Sequence, residues 1–334
     1  MKLIIPKGYA TNQSVRETQA AINYVRDFVH NSFENKLNLE RVSASLTVLS
    51  NSGLNDNLSG GERPVSFDVP DIGHDVEIVH SLAKWKRMAL KQYGFKPGEG
   101  LFTEMNAIRR DEELDNTHSI YADQWDWERV ITYEERNINT LVKTATQLFN
   151  MLRDLEDSAA ERFPGVKRHL PSELFVLSAQ ELIDAYPQLT EKEREDAICR
   201  KHGAVLLTQI GDIATNGERH GHRAPDYDDW TMNGDLIVYN PLLDCAFEIS
   251  SMGVRVDAAA LASQLEKANN KERLELPYHR AVMENQLPYT IGGGLGQSRI
   301  CMFILDKAHV GEVQASVWPQ EMMDLCEQAG IHLL

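Results

Sequence analysis

Residues 291–299 read Ile-Gly-Gly-Gly-Leu-Gly-Gln-Ser-Arg, which sets Gly292, Gly294 and Gly296 at alternate positions and Arg299 three residues further on. Glycine has no Cβ, so alternate glycines describe backbone that must leave room for something, such as a flat ring or a phosphate against the main chain. The apolar segment 300–305 that follows reads as a helix. Arg299 then falls in its first turn, where a fixed cation can pair with phosphate and stack on a base. A glycine run alone also fits an ordinary turn, so its meaning depends on the residues that accompany it.

The chain has 334 residues, 42% hydrophobic and 25% charged, ordinary usage for a globular protein with a sizeable core. Its formal net charge of −16 opposes broad contact with a nucleic-acid backbone. Anionic substrates must then be met by a few local arginines and lysines, with a divalent metal. Cys199, Cys245, Cys301 and Cys326 are widely spaced, which predicts buried free thiols in a reducing compartment. The N-terminal apolar run is too short for a signal peptide, and no segment reaches the ~20 apolar residues of a membrane span. A cytoplasmic protein without nucleic-acid or membrane partners is expected.

Apolar residues recur at helical spacing over 12–37, and 42–49 reads as a strand followed by a Gly/Asn/Asp loop over 51–61. Short strands are expected at 65–69 and 77–79, and a helix at 84–93 stopped by Gly94. Runs 101–109 and 118–131 flank a polar turn and predict an antiparallel hairpin. Helices are expected at 138–161, 191–202, 259–268, 272–285 and 298–305, and strands at 204–210, 235–239, 246–250 and 254–256. Hairpin-linked strands with helices inserted in blocks imply an α+β fold, an antiparallel sheet flanked by helices.

Within 118–131, strand alternation puts Gln124, Asp126 and Glu128 on one face and Asp123, Trp125, Trp127 and Arg129 on the other. An amide and acid together suit an α-ammonium group. Arg109, ending the first arm, could hold phosphate or carboxylate bidentately, with Arg110 as the turn residue beside it. Ser81 reads as a helix N-cap; Lys84 and Lys86 point in different directions, so only one is expected to meet a substrate carboxylate. Asp226, Asp228 and Asp229 share an aromatic-laced loop with Tyr227 and Trp230. Asp235 and Glu248 are expected to meet across a hairpin, a pair suited to Mg²⁺, with Ser250, Ser251 and Arg255 nearby. His220 and His222 flank Gly221 with no third ligand in view, which opposes zinc.

Several of these segments occur in the order of the class II aminoacyl-tRNA synthetase core. The Arg109 hairpin resembles the second motif of that family, the stretch 247–256 its aspartyl-type metal strand, and Gly292 to Arg299 its third motif. The chain as a whole resembles the narrower aspartate–ammonia ligase family, through Asp-Asn-Leu-Ser-Gly (56–60), His-Ser-Leu-Ala-Lys-Trp-Lys-Arg (80–87), Asp-Gln-Trp-Asp-Trp-Glu (123–128) and Arg-Ala-Pro-Asp-Tyr-Asp-Asp-Trp (223–230). The resemblance implies a single catalytic domain over 1–334 that converts L-aspartate, ammonia and ATP to asparagine, AMP and pyrophosphate with Mg²⁺. It implies a homodimer joined through residues 12–49.

On this resemblance Arg109, Arg299 and a Mg²⁺ on Asp235 and Glu248 face the phosphates, and Asp228, Arg255, Gly294 and Gly296 complete the nucleotide site. Ser81, Lys86, Gln124, Asp126 and Ser251 hold aspartate. Asp56 is expected to bind and deprotonate ammonium, and Arg109 and Gln124 to act with it in catalysis. Two other readings remain: a synthetase-like enzyme transferring an amino acid to tRNA or protein, and a non-catalytic regulator that keeps the pocket.

Overall fold

In a computed structural model, residues 3–11 and 13–334 are described; Met1, Lys2 and Asn12, where the first helix was expected to begin, lie outside them. Helix α1 (Val15–Leu37) leads to β1 (Leu39–Arg41), β2 (Thr47–Leu49), β3 (Ser66–Val69), β4 (His74–Ile78) and α2 (Ala83–Tyr93). The hairpin β5 (Gly100–Ile108) and β6 (Tyr121–Val130) precedes α3 (Ile138–Arg162), β7 (Phe175–Ser178), α4 (Ala179–Ala185) and α5 (Glu191–His202). Then come β8 (Ala204–Thr208), β9 (Asp228–Asn240), β10 (Cys245–Arg255), α6 (Ala258–Lys267), a 3₁₀ turn (Lys271–Glu275) and α7 (Pro277–Met283). The chain closes with β11 (Thr290–Gly296), α8 (Gln297–Ile304) and α9 (Gln320–Gln328).

Eight strands make one sheet in the order β1-β5-β6-β11-β10-β9-β8-β7, antiparallel except at its two edges. A small sheet, β2-β4-β3, stands apart. This is the expected α+β arrangement of a large antiparallel sheet flanked by helices. Alternation in the central strands decides which face is dry. Trp125 and Trp127 of β6 join Met252, Ile291 and Leu295 under α1, α3 and α8 in the main apolar core. At the far end of the opposite face, Val205, Leu207 and Ile237 pack under α4 and α5. Helix α1 begins on a Ser14–Glu17 capping box and buries Ile22, Val25, Val29 and Phe33.

Several expectations are corrected. Of residues 42–49 only Thr47–Leu49, β2, is a strand, and it belongs to the small sheet, while β1 ends before them at Arg41 in the large one. The segments 246–250 and 254–256 are one strand, β10, with bulges where its register to β9 shifts. Strand β9 starts at Asp228, so the acidic loop already belongs to the sheet by its end. Residues 272–285 split into a 3₁₀ turn and α7 at Pro277. Strand β7 and helices α4 and α9 had no counterpart in the sequence reading. Among the cysteines, Cys199, Cys301 and Cys326 are buried, while Cys245 is half-buried; all four are free.

Candidate active site

Cross-strand register assembles the site. Asp126 of β6 sits opposite Gly294 of β11, Gly294 opposite Ser251 of β10, and Ser251 opposite Asp235 of β9. These residues form one row on the sheet face that does not carry the tryptophans. One row on either side lie Gln124 with Gly296, and Glu128 with Gly292 and Gly253. A cleft of about 400 Å³ opens over this floor, rimmed by the loop of Asp56, the start of α2, the β5–β6 turn and the start of α8.

The glycines make room chiefly for neighbouring side chains. A Cβ on Gly292 would stand 1.9 Å from Glu128 Oε2, and one on Gly294 would stand 2.4 Å from Gln124 Oε1 and 2.6 Å from Asp126 Oδ1. The run is thus a central strand over which the polar groups of β6 lean, rather than open backbone awaiting a ring. Gly294 and Gly296 still line the cleft. Glu128, wholly buried, accepts from Arg255 Nη2 at 2.7 Å and Nε at 3.0 Å, and Arg255 also pairs with Asp228. Gly253 admits that second carboxylate, since a Cβ there would meet Asp228 Oδ1 at 2.5 Å. Arg255 is held rigid and carries Tyr227 with its ring centroid 5.7 Å away.

Lys86 and Lys84 part as their spacing requires. Lys86 Nζ reaches the cleft, donates to the Gly293 carbonyl at 2.8 Å and lies 3.5 Å from Asp126 Oδ1. Lys84 turns away to the fully buried Asp226, at 2.9 Å, so it is a structural lysine. Asp126 also accepts from the Leu82 N–H at 3.3 Å. Burial works against both charges of the Lys86–Asp126 pair, pushing the carboxyl up and the ammonium down, while each holds the other charged.

Ser81 is not the helix cap: Leu82 occupies that position, without a side-chain cap. Ser81 Oγ donates instead to Asp56 Oδ2 at 2.8 Å. Asp56 is buried, its other oxygen taken by the Leu58 N–H at 2.9 Å, so the loop presents a fixed carboxylate to the cleft. Arg109 lines the cleft, with Glu112 at 3.9 Å and a buried Nε without a partner among the described residues; Arg110 is exposed and does not line it.

Arg299 lies where the first turn of α8 meets the cleft. Its Nη1 donates to the Glu248 carbonyl at 3.2 Å, and its Nη2 is 2.8 Å from His118 Nε2. His118, on the β5–β6 turn, is oriented by Asp115 at 2.9 Å through Nδ1. Asp123, given to the opposite face by alternation, also lines the cleft and accepts from the Ser298 N–H at 3.1 Å and hydroxyl at 2.7 Å. It fixes the start of α8. Sequence reasoning missed His118, Asp123 and Arg223. Asp123 and Arg223 did open the resembling segments 123–128 and 223–230, and His118 stood at the mouth of the predicted hairpin, but none was given a role.

Asp235 and Glu248 are not directly opposite; Glu248 faces Ile237, and the bulge after it turns its side chain back toward Ser251. Ser251 Oγ donates to Glu248 Oε1 at 3.0 Å and lies against Asp235 as well. Asp235 is raised to about 6, first by burial and then by the neighbouring Glu248 carboxylate, against the pull of Arg223. Of the two only Glu248 lines the cleft, and Asp235 is ion-paired to Arg223, but two neighbouring carboxylates still fit a Mg²⁺ ion, which takes one or two of them and fills its shell with waters and phosphates. His220 lies outside the cleft, its Nε2 3.1 Å from Glu195 Oε1. Contrary to expectation, it does have acidic neighbours: possible ligand atoms of Glu191, Glu195 and His220 fall within 4.8 Å of one another.

Residues 16–330 match the family described as aspartate-ammonia ligase. The chain is 56% identical to an aspartate–ammonia ligase of Clostridium perfringens over 100% of its own length and 99% of that protein's. It is 53% identical to one of Ligilactobacillus salivarius over the full length of both. Among solved structures it resembles Pyrococcus horikoshii asparaginyl-tRNA synthetase complexed with asparaginyl-adenylate, at TM-score 0.65 and 12% identity, covering 90% of this chain and 70% of that one. An Entamoeba histolytica asparaginyl-tRNA synthetase follows at TM-score 0.62 and 10% identity, covering 90% and 66%. These two likenesses concern the fold, which is that of class II synthetases.

Proposed function

The chain belongs to the aspartate–ammonia ligase family, enzymes that join L-aspartate and ammonia into L-asparagine, and on that premise we propose that its cleft drives the reaction through a β-aspartyl-adenylate, splitting ATP to AMP and pyrophosphate. The observation that carries this reading is the single register row. Asp126 and Ser251 share it through Gly294; Gln124 and Lys86 beside the first are the proposed amino-acid-reading groups, Glu248 and Arg299 beside the second the proposed phosphate-reading ones, and all line one cleft.

Aspartate lies over β6, its ammonium on Gln124 and Asp126 and a carboxylate on Lys86. Its β-carboxylate attacks the α-phosphorus, and pyrophosphate leaves. Arg109 and Arg299, which both line the cleft, supply fixed positive charge where oxygens gain charge in that transition state. Bound on Asp235 and Glu248, Mg²⁺ would neutralise phosphate charge. Arg255 and Asp228 shape the adenosine end. Asp56, held by Ser81, binds ammonium and takes its proton; ammonia then attacks the acyl carbon and AMP departs with one carboxyl oxygen.

We further propose a homodimer formed through residues 13–49. Leu46 and Leu49 in that segment are large apolar side chains left 52% and 39% exposed. The proposed reaction is tested by incubating the protein with aspartate, ammonium and Mg-ATP. Asparagine with equimolar AMP and pyrophosphate supports it; ADP and orthophosphate, or no amide, refutes it.

A further inference from the structure

A second cavity, of about 330 Å³, lies among the N-terminal segment, the turn after α3 and the end of α8, and shares no residue with the cleft. Lys307 lines it, only 3% exposed. Its ammonium donates to two neutral hydroxyls, Thr11 Oγ1 at 2.8 Å and Thr18 Oγ1 at 3.2 Å. The acids near it are already engaged. Glu312 accepts from Tyr9 Oη at 2.8 Å and from the Ala308 N–H at 2.9 Å, and Asp306 holds His169 Nε2 at 2.6 Å and the Lys167 N–H at 3.0 Å. Among the described residues no carboxylate contacts the Lys307 ammonium, and its third N–H has no partner. Lys7 and Lys167, both exposed, stand at the rim of the same cavity.

A buried ammonium without an ionised partner is costly, and three lysines around one cavity run against a chain of net charge −16. Burial presses the Lys307 ammonium toward its neutral form, which a bound anion would reverse. We propose that this cavity is a binding site for a compact anion bearing carboxylate or phosphate groups, with Lys307 as its buried anchor and Lys7 and Lys167 as its rim. The site is separate from the reaction cleft and does not rest on the adenylate mechanism.

The test uses Arg109→Ala/Arg299→Ala enzyme, so that the cleft no longer competes for anions, and titrates it calorimetrically with inorganic phosphate or with malonate at fixed ionic strength. One anion bound per chain is expected, and the tighter of the two probes identifies phosphate or carboxylate as the preferred group. Lys307→Met in that background should weaken binding by about tenfold or more, the scale of one charge-assisted contact. Lys7→Ala/Lys167→Ala, which alters only exposed residues, should weaken it less and keeps the test sound if Lys307→Met fails to fold. No binding of either probe, including through cover by a second copy of the chain, overturns the proposal. So does affinity unchanged by both sets of substitutions.

Discussion

Arg109 and Asp56 serve different halves of the proposed reaction, and substitution separates them. Arg109→Ala removes a preorganised cation from phosphoryl transfer and should lower aspartate-dependent ATP–pyrophosphate exchange by about 10²–10³-fold, or roughly 3–4 kcal/mol. Near-normal exchange would remove Arg109 from the phosphate site. Asp56→Asn keeps the size of the side chain and its acceptor oxygen for Ser81 but loses the negative charge. Amide synthesis should fall well below pyrophosphate exchange, and equal losses in both assays would contradict its assignment to ammonia. Gly294→Ala should raise KM for aspartate more than for ATP, because the new methyl would press on Gln124 Oε1 and Asp126 Oδ1, which lie 2.4 and 2.6 Å from that Cβ position.

At the scale of elements, what the sequence made legible was whatever obeys local periodicity. The β5–β6 hairpin, the face of β6 and the helix after the glycines all follow from alternation and from helix stop signals. What stayed hidden depends on partners far along the chain. The glycines of β11 answer to carboxylates on β6, more than 160 residues earlier, and the bulge that turns Glu248 toward Ser251 has no local signature. Ser81 looked like a cap because its neighbours are helical; only the fold brings Asp56 to it. Lys84 and Asp226 likewise join α2 to the strand-leading loop inside the protein. Asp226→Ala strands that buried ammonium and should destabilise the fold by about 3–5 kcal/mol in urea denaturation. A loss under about 1 kcal/mol would mean that water reaches Lys84.

For the whole molecule, pH enters through groups buried neutral. His309 is wholly buried, accepts from the Gly311 N–H at 3.0 Å through Nδ1, packs on Trp318 and is depressed by burial from 6.5 to about 4. The unfolded chain therefore takes up this proton first. The contribution of the neutral ring is complete above pH 6.5 and is lost as pH falls toward 4, up to about 3 kcal/mol in all. His309→Gln should lose correspondingly less stability than the parent between pH 7 and pH 4.5 in urea denaturation; parallel losses would show that the ring titrates normally. No helix among the described residues is long and apolar enough to cross a membrane. Light scattering should return twice the chain mass if residues 13–49 form the contact, and a single chain mass would rule the dimer out.

The path of one oxygen atom tests the chemistry at its centre. Aspartate labelled with ¹⁸O in its β-carboxylate should pass one labelled atom to the phosphate of AMP on each turnover, since the carboxylate oxygen that bonds to the α-phosphorus stays on phosphorus when ammonia breaks its bond to the acyl carbon. AMP without label, alongside labelled asparagine, would contradict an acyl-adenylate and require a different activation of the acid.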